Sequence, residues 1–141
     1  MTDKLEQEAF VQLQRAASRL MEDVARLLKP AGLRPTQYNV LRILRGARPD
    51  PLSCGEISAR MITREPDLTR LLDRLESAGL VSRCRGDEDR RVVRVAITAQ
   101  GLALLESLDA PMLALHRRQF AALGERKMAL LTRISSGLAE S

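Results

Sequence analysis

The chain has 141 residues, enough for one domain with one modest core. Apolar residues make up 45% and aromatic residues only 2%, with no Trp, which argues against an aromatic stacking platform for single-stranded nucleic acid. The balance is basic, 23 Lys+Arg against 18 Asp+Glu for a net charge of +5, and most of the cations are Arg, which suits bidentate contact with phosphate and guanine.

Apolar residues recur at helical spacing from Leu5 to Leu28, through Ala9, Leu13, Ala16, Leu20, Val24 and Leu27. Lys29-Pro30-Ala31-Gly32 ends this first helix. A second helix is predicted from Pro35, with Tyr38, Leu41, Ile43 and Leu44 on its core face. Gly46 to Pro51 reads as a loop. Ser53-Cys54-Gly55-Glu56 fits a capping box, which opens a short third helix to about Met61. A fourth helix is predicted over 65–78, with Leu68, Leu71, Leu72 and Leu75 on one face, Pro66 in its first turn, Thr63 as its cap and Gly79 as its stop.

The period then changes. Leu80 to Arg85 and Val92 to Ile97 read as two strands, with Gly86-Asp87-Glu88-Asp89-Arg90-Arg91 as a polar tip between them. Thr98 is placed to cap a long helix from Ala99 to about Leu123. Gly124-Glu125 breaks it, and a last helix runs to about Leu138. Two short helices and a hairpin with an arginine-bearing tip make the plan of a winged helix-turn-helix. The expected fold is therefore mainly α with a small β-hairpin.

Ile57-Ser58-Ala59-Arg60-Met61, Leu68-Thr69-Arg70-Leu71-Leu72-Asp73-Arg74-Leu75-Glu76, Gly79-Leu80-Val81, Asp87-Glu88-Asp89-Arg90-Arg91 and Ile97-Thr98-Ala99-Gln100-Gly101 occur in that order. This ordered set resembles the MarR (multiple antibiotic resistance regulator) family, and the resemblance covers nearly the whole chain. It implies one MarR-type domain over 1–141. Within it, 35–98 is the winged helix-turn-helix, flanked by N- and C-terminal dimerisation helices over 1–28 and 99–141. It implies a homodimeric regulator of transcription, a repressor, acting on a pseudo-palindromic operator in double-stranded DNA.

The fourth helix resembles the recognition helix of that family, which enters the major groove. Leu68, Leu71, Leu72 and Leu75 would hold it on the core, leaving Arg64, Glu65, Asp67, Thr69, Arg70 and Arg74 outward. Arg can take guanine O6 and N7 together, and Thr can touch a thymine methyl. Thr69 and Arg70 are expected near base edges, and Arg74 on a base or phosphate. The competing role for this face is a solvated one, with Asp73 and Glu76 pairing to Arg70 and Arg74 along the helix. The hairpin tip resembles the family wing, in which an Arg two residues after an Asp enters the minor groove. On this chain these are Arg91 and Asp89, with Arg90 beside them. Arg83, Arg85 and Arg94 are additional phosphate candidates, as are Arg34, Arg42, Arg45 and Arg48 around the second helix. Between Ser53 and Thr98 there are nine basic and eight acidic residues, so binding must rest on where the arginines stand rather than on bulk charge.

The apolar positions Leu102, Leu105, Leu108, Met112, Leu115, Leu130, Leu131 and Ile134 exceed what one small core needs, which agrees with terminal helices buried in a two-fold dimer. The resemblance also implies a small lipophilic or phenolic effector between the dimerisation and DNA-binding parts. Phe10, Tyr38, His116 and Phe120 are the candidates there, with core or interface packing the simpler role for all four. Cys54, at a predicted helix N-terminus, has the setting of a reactive thiol, and Cys84 is expected half-buried on a strand; small structural residues are the simpler reading of both. No cofactor or metal site is expected, because one His and two distant Cys do not close one. No catalytic set stands at a known motif spacing, so no enzyme is expected. A winged helix that binds protein instead of DNA is the remaining alternative, and Arg91 with Thr69 and Arg70 argues against it. No apolar run approaches the ~20 residues of a membrane span. The opening Met1-Thr2-Asp3-Lys4-Leu5-Glu6 lacks the pattern of a signal peptide, so a cytoplasmic location is expected.

Overall fold

A computed structural model describes residues 2–86 and 88–141; Asp87 of the tip and Met1 lie outside the described residues. The chain begins with α1 (Thr2–Leu28), closed by a 3-10 turn (Lys29–Ala31) and by Gly32 at φ +73°. Left-handed backbone of this kind is open to glycine at little steric cost. Then follow α2 (Pro35–Ala47), β1 (Leu52–Ser53), α3 (Cys54–Arg60), α4 (Leu68–Ser77), β2 (Val81–Arg85), β3 (Val93–Ile97), α5 (Ala99–Gln119) and α6 (Gly124–Glu140). The strands form an antiparallel sheet in the order β1-β3-β2, with Val81 opposite Ile97, Arg83 opposite Val95, and Leu52 opposite Val95 on the other side. The fold is the expected mainly α winged helix. The hairpin gains a third strand, β1, just past the Gly46–Pro51 loop, where none is expected from the sequence. Two residues are too few to show the alternation by which a strand is read.

The core is built from leucines presented by five helices and the sheet. Leu28, Leu41, Leu44, Ile57, Leu72, Leu75, Val95 and Leu105 are essentially inaccessible to solvent. Removing the buried part of any one of these leucines is expected to cost about 2–5 kcal/mol. Leu105, Leu108, Met112 and Leu115, expected as part of a surplus for a partner, lie in this chain's own core. The unpartnered apolar residues are elsewhere. Leu5, Phe10 and Leu13 stand exposed on α1, and Leu130, Ile134 and Leu138 on α6; no residue of α6 is buried.

The helix-turn-helix differs from expectation at the head of α4. The helix starts at Leu68 rather than near Glu65, and its cap is Asp67, whose Oδ1 accepts the Arg70 N–H at 3.0 Å; Thr63 is not the cap. Pro66 disfavours helical backbone at Glu65, so the helix cannot begin before it at low cost, and Asp is a strong capping residue. Glu65 Oε1 in turn accepts the Asp67 N–H at 3.1 Å. The two caps read from sequence elsewhere hold. Ser53 and Glu56 exchange hydrogen bonds with each other's backbone N–H, both 3.2 Å, and Thr98 Oγ1 accepts from Gly101 N at 3.0 Å.

Thr98 does more than cap. Its hydroxyl donates to Gly79 O at 2.6 Å and its N–H to Leu80 O at 3.0 Å, so the start of α5 is seated on the turn between α4 and β2. At the other end of α5, the Gln119 amide donates to Leu20 O at 3.0 Å and Asp23 Oδ2 at 3.3 Å on α1. Between them, Arg45 of α2 meets Asp109 of α5 in a two-pronged ion pair at 2.9 and 3.0 Å. The Arg45 guanidinium holds the Asp109 carboxyl below the usual aspartate range. Because the folded-state value lies under the unfolded one, the pair stabilises the fold above pH ~4, and that contribution fades as pH falls through the lowered value. Asp109→Asn should therefore lower Tm at pH 7 by more than it does near pH 3. An equal deficit at both pH values, read by thermal melts, would show that charge is not what the pair contributes.

Candidate nucleic-acid interface

The face of α4 opposite its leucines is solvent-exposed and carries Thr69, Arg70, Asp73 and Arg74; Arg64 is exposed in the turn before the helix. Leu71, Leu72 and Leu75 are buried and hold the helix down. Among the described residues, Arg64, Arg70 and Arg74 enter no ion pair. The competing arrangement, Asp73 and Glu76 pairing to Arg70 and Arg74 along the helix, is not formed. Asp73 instead receives Arg83 Nη2 of β2 at 2.6 Å, and the same nitrogen reaches Thr69 O at 3.5 Å. The Arg83 Nε is buried without a hydrogen-bond partner among the described residues. This bridge ties the exposed face of α4 to the hairpin.

The wing is braced by its own backbone. Gly86 N donates to Val92 O at 2.9 Å, Val92 N to Asp89 O at 3.1 Å, and Arg85 Nη1 to Arg90 O at 2.7 Å. Asp89 Oδ1 accepts the Arg91 N–H at 3.0 Å and lies 3.9 Å from Arg91 Nε. The Arg91 side chain is 96% exposed. A carboxylate behind a guanidinium with no other partner among the described residues limits its directions while leaving its outer N–H groups for a ligand. Arg90 is exposed beside it.

The other arginines divide. Arg83, Arg85 and Arg94 are engaged within the chain, because Arg94 Nη1 donates to Glu56 Oε1 at 3.3 Å. Hydrogen bonds from the Ser53 backbone and hydroxyl hold the Glu56 carboxyl below its ordinary range, with Arg94 adding to the effect. Arg45 is taken by Asp109, and Arg42 lies 5.9 Å over the Tyr38 ring. Arg34 and Arg48 remain exposed at the two ends of α2.

The four effector candidates are not brought together. Tyr38 is buried in the core and Phe10 is 61% exposed on α1. His116 is exposed, with Nδ1 at 2.9 Å from Gln119 Oε1, and Phe120 is half-buried past the end of α5. The cavity between α1 and α5, about 530 Å³, is lined by Asp23, Arg26, Leu27, Leu115, Arg118 and Gln119, and by none of the four. Both cysteines are exposed, so Cys84 is not half-buried as expected; its side chain faces outward from the edge strand β2. Cys54 is the first residue of α3, as read. Among the described residues no cluster of three or more His, Cys, Asp or Glu could hold a metal, and no helix is long and apolar enough to cross a membrane.

A model of the MarR family matches residues 33–93, from the end of the first interhelical turn to the start of β3. The transcriptional repressor IacR of Pseudomonas putida is 32% identical over 125 residues, which span 89% of this chain and 74% of that protein. The chain belongs to the MarR family. Solved MarR relatives agree in fold over nearly the full length. A MarR transcription factor from Planctomyces limnophilus is 39% identical with a TM-score of 0.74, over 92% of this chain and 94% of that one. The repressor CouR, solved bound to a 23-mer DNA duplex, is 28% identical with a TM-score of 0.85, over 99% and 97% of the two chains. As a MarR protein the chain is a winged helix-turn-helix regulator of transcription and not an enzyme.

Proposed function

We propose that two copies of this chain bind one pseudo-palindromic site in double-stranded DNA and repress transcription from it. In this reading residues 35–98 are the DNA-binding part, and residues 1–28 and 99–141 are the dimerisation part. α4 lies in the major groove, with Thr69 and Arg70 at base edges and Arg74 on a base or phosphate, and Arg64 approaches from the turn before it. The wing places Arg91, oriented by Asp89, in the adjacent minor groove, where narrow A·T-rich segments concentrate negative potential. Arg90 neutralises phosphate. The observation that carries the reading is the braced, outward Arg91 alongside an α4 face whose arginines have no ion-pair partner among the described residues.

The second copy is supported by α1 and α6. A helix whose whole length is unburied yet bears Leu130, Ile134 and Leu138 is accounted for by burial against a partner. Two recognition helices would then meet successive major grooves, about one turn or ~10 bp apart. Ile134→Glu is expected to yield a folded monomer by sedimentation, with duplex affinity reduced in parallel; a dimer of unchanged strength would remove α6 from the interface. Release by a small lipophilic or phenolic effector is the further part of this proposal. Its structural counterpart is the cavity between α1 and α5, which lies within the dimerisation part and is lined by Asp23, Arg26, Arg118 and Gln119 as well as by Leu27 and Leu115. The DNA reading is tested by duplex binding across a salt series. A slope of log K on log salt of several units is expected from released counterions, and a flat dependence would contradict it.

A further inference from the structure

The segment that leads into α4, residues 62–67, has few ties to the rest of the chain. Met61 before it and Leu68 after it pack partly against the core, but no residue between them is buried and only Glu65 is half-buried. Ile62, the large apolar side chain of the segment, is 82% exposed, so it anchors nothing by burial. The hydrogen bonds further along serve the segment itself and the head of α4: Glu65 Oε1 accepts the Asp67 N–H, and Asp67 Oδ1 the Arg70 N–H. Among the described residues, one hydrogen bond joins 62–66 to another element. The Ile62 N–H donates to Asn39 Oδ1 of α2 at 2.9 Å, across 23 positions of the chain. Asn39 is half-buried between Tyr38 and Val40, which are buried and fix α2 in the core. The acceptor therefore stands on a rigid element, and the turn that it holds is not rigid by itself.

We propose that Asn39 is a positioning residue for sequence discrimination: by holding the Ile62 N–H it fixes the turn that carries Arg64 and delivers the first residues of α4 to the bases. The inference rests on the proposed DNA reading. Arg64 lies two residues past the tie, and Thr69 and Arg70 follow directly on the Asp67 cap. Hydrogen bonds to base edges are directional and tolerate little displacement, whereas phosphate contacts bring affinity without sequence information. Releasing the turn is therefore expected to cost discrimination and to spare affinity for DNA at large. The Asn39 NH2 group enters no hydrogen bond among the described residues, so the role falls on the acceptor oxygen. Aspartate offers the same oxygen and alanine offers none.

Asn39→Ala and Asn39→Asp separate this role from a merely structural one. Alanine is the better helix former, so α2 is expected to stay folded and Tm to stay near wild type. Amide hydrogen exchange on the DNA-free protein reads the tie. The Ile62 N–H is expected to exchange roughly fivefold faster in Asn39→Ala and at the wild-type rate in Asn39→Asp. Fluorescence anisotropy reads the consequence, as the ratio of affinities for a 30-bp duplex carrying an operator selected from random sequence and for a scrambled duplex. That ratio is expected to fall about tenfold in Asn39→Ala with the scrambled affinity unchanged. It is expected to hold in Asn39→Asp, whose added charge weakens both duplexes alike. An Ile62 amide that exchanges equally in all three proteins, an unchanged ratio in Asn39→Ala, a loss shared by both duplexes, or a ratio that Asn39→Asp does not restore overturns the proposal. A wild type for which no operator can be selected overturns the DNA reading and the discrimination role with it, while exchange still decides whether Asn39 holds the turn.

Discussion

Arg91→Ala is expected to weaken duplex binding at least about thirtyfold while leaving the fold and the dimer intact. The side chain is almost entirely in solvent, so removing it strips no core contact. Among the described residues its one intramolecular tie is to Asp89, whose hydrogen bond from the Arg91 backbone N–H survives the change. A single arginine contact to DNA carries about 1–3 kcal/mol, and a two-fold dimer loses it at both half-sites. Asp89→Asn should give a smaller loss, because the guanidinium remains but is less well oriented. Fluorescence anisotropy with a labelled duplex, beside a thermal melt, checks both. If Arg91→Ala binds like wild type, the wing is not in the groove.

Gly101→Ala is expected to be the most damaging single-methyl change in the chain. A Cβ there would lie 2.4 Å from Leu80 O and 2.7 Å from Ile97 Cγ1. The first neighbour is backbone, pinned by the Thr98 N–H on the same oxygen, and cannot step aside alone. Alanine has the better helix propensity by up to ~1 kcal/mol, but this clash demands that α5 lift off the α4–β2 turn. A net loss of roughly 1–3 kcal/mol or more is expected, lowering Tm by several degrees in a protein of this size. The same lift would loosen the seat of α4, so on the proposed reading DNA affinity should fall with it. A Tm equal to or above wild type would show that the docking of α5 is softer than described. Gly137→Ala, with open space around the added carbon, is the matched control and should be neutral or stabilising.

Much of this architecture was legible because local rules and tertiary packing agree. The leucine spacing of α4, the Ser53–Glu56 capping box, the Thr98 cap and the glycine stops at Gly32 and Gly79 each follow from short-range chemistry, and each stands where it was read. Most of the differences lie where neighbours far along the chain decide. β1 is two residues long and exists because Leu52 and Ser53 meet β3. The start of α4 is a local exception: Pro66 disfavours helical backbone at Glu65 and Asp67 caps the helix, so it begins at Leu68. Arg83, Arg85 and Arg94 looked like cations for phosphate, but Asp73, the Arg90 carbonyl and Glu56 engage them. The packing of α4 on β2 brings Asp73 to Arg83, and the pairing of β1 with β3 brings Glu56 to Arg94.

Dimeric presentation of two winged helices to one duplex is the claim on which the functional reading turns. Sedimentation velocity of the protein mixed with a 30-bp duplex carrying its operator, at low salt, tests it most directly. The reading predicts a single complex whose mass is the duplex plus two chains, with free protein sedimenting as a dimer. A complex of one chain per duplex, or protein and DNA sedimenting apart, would contradict it.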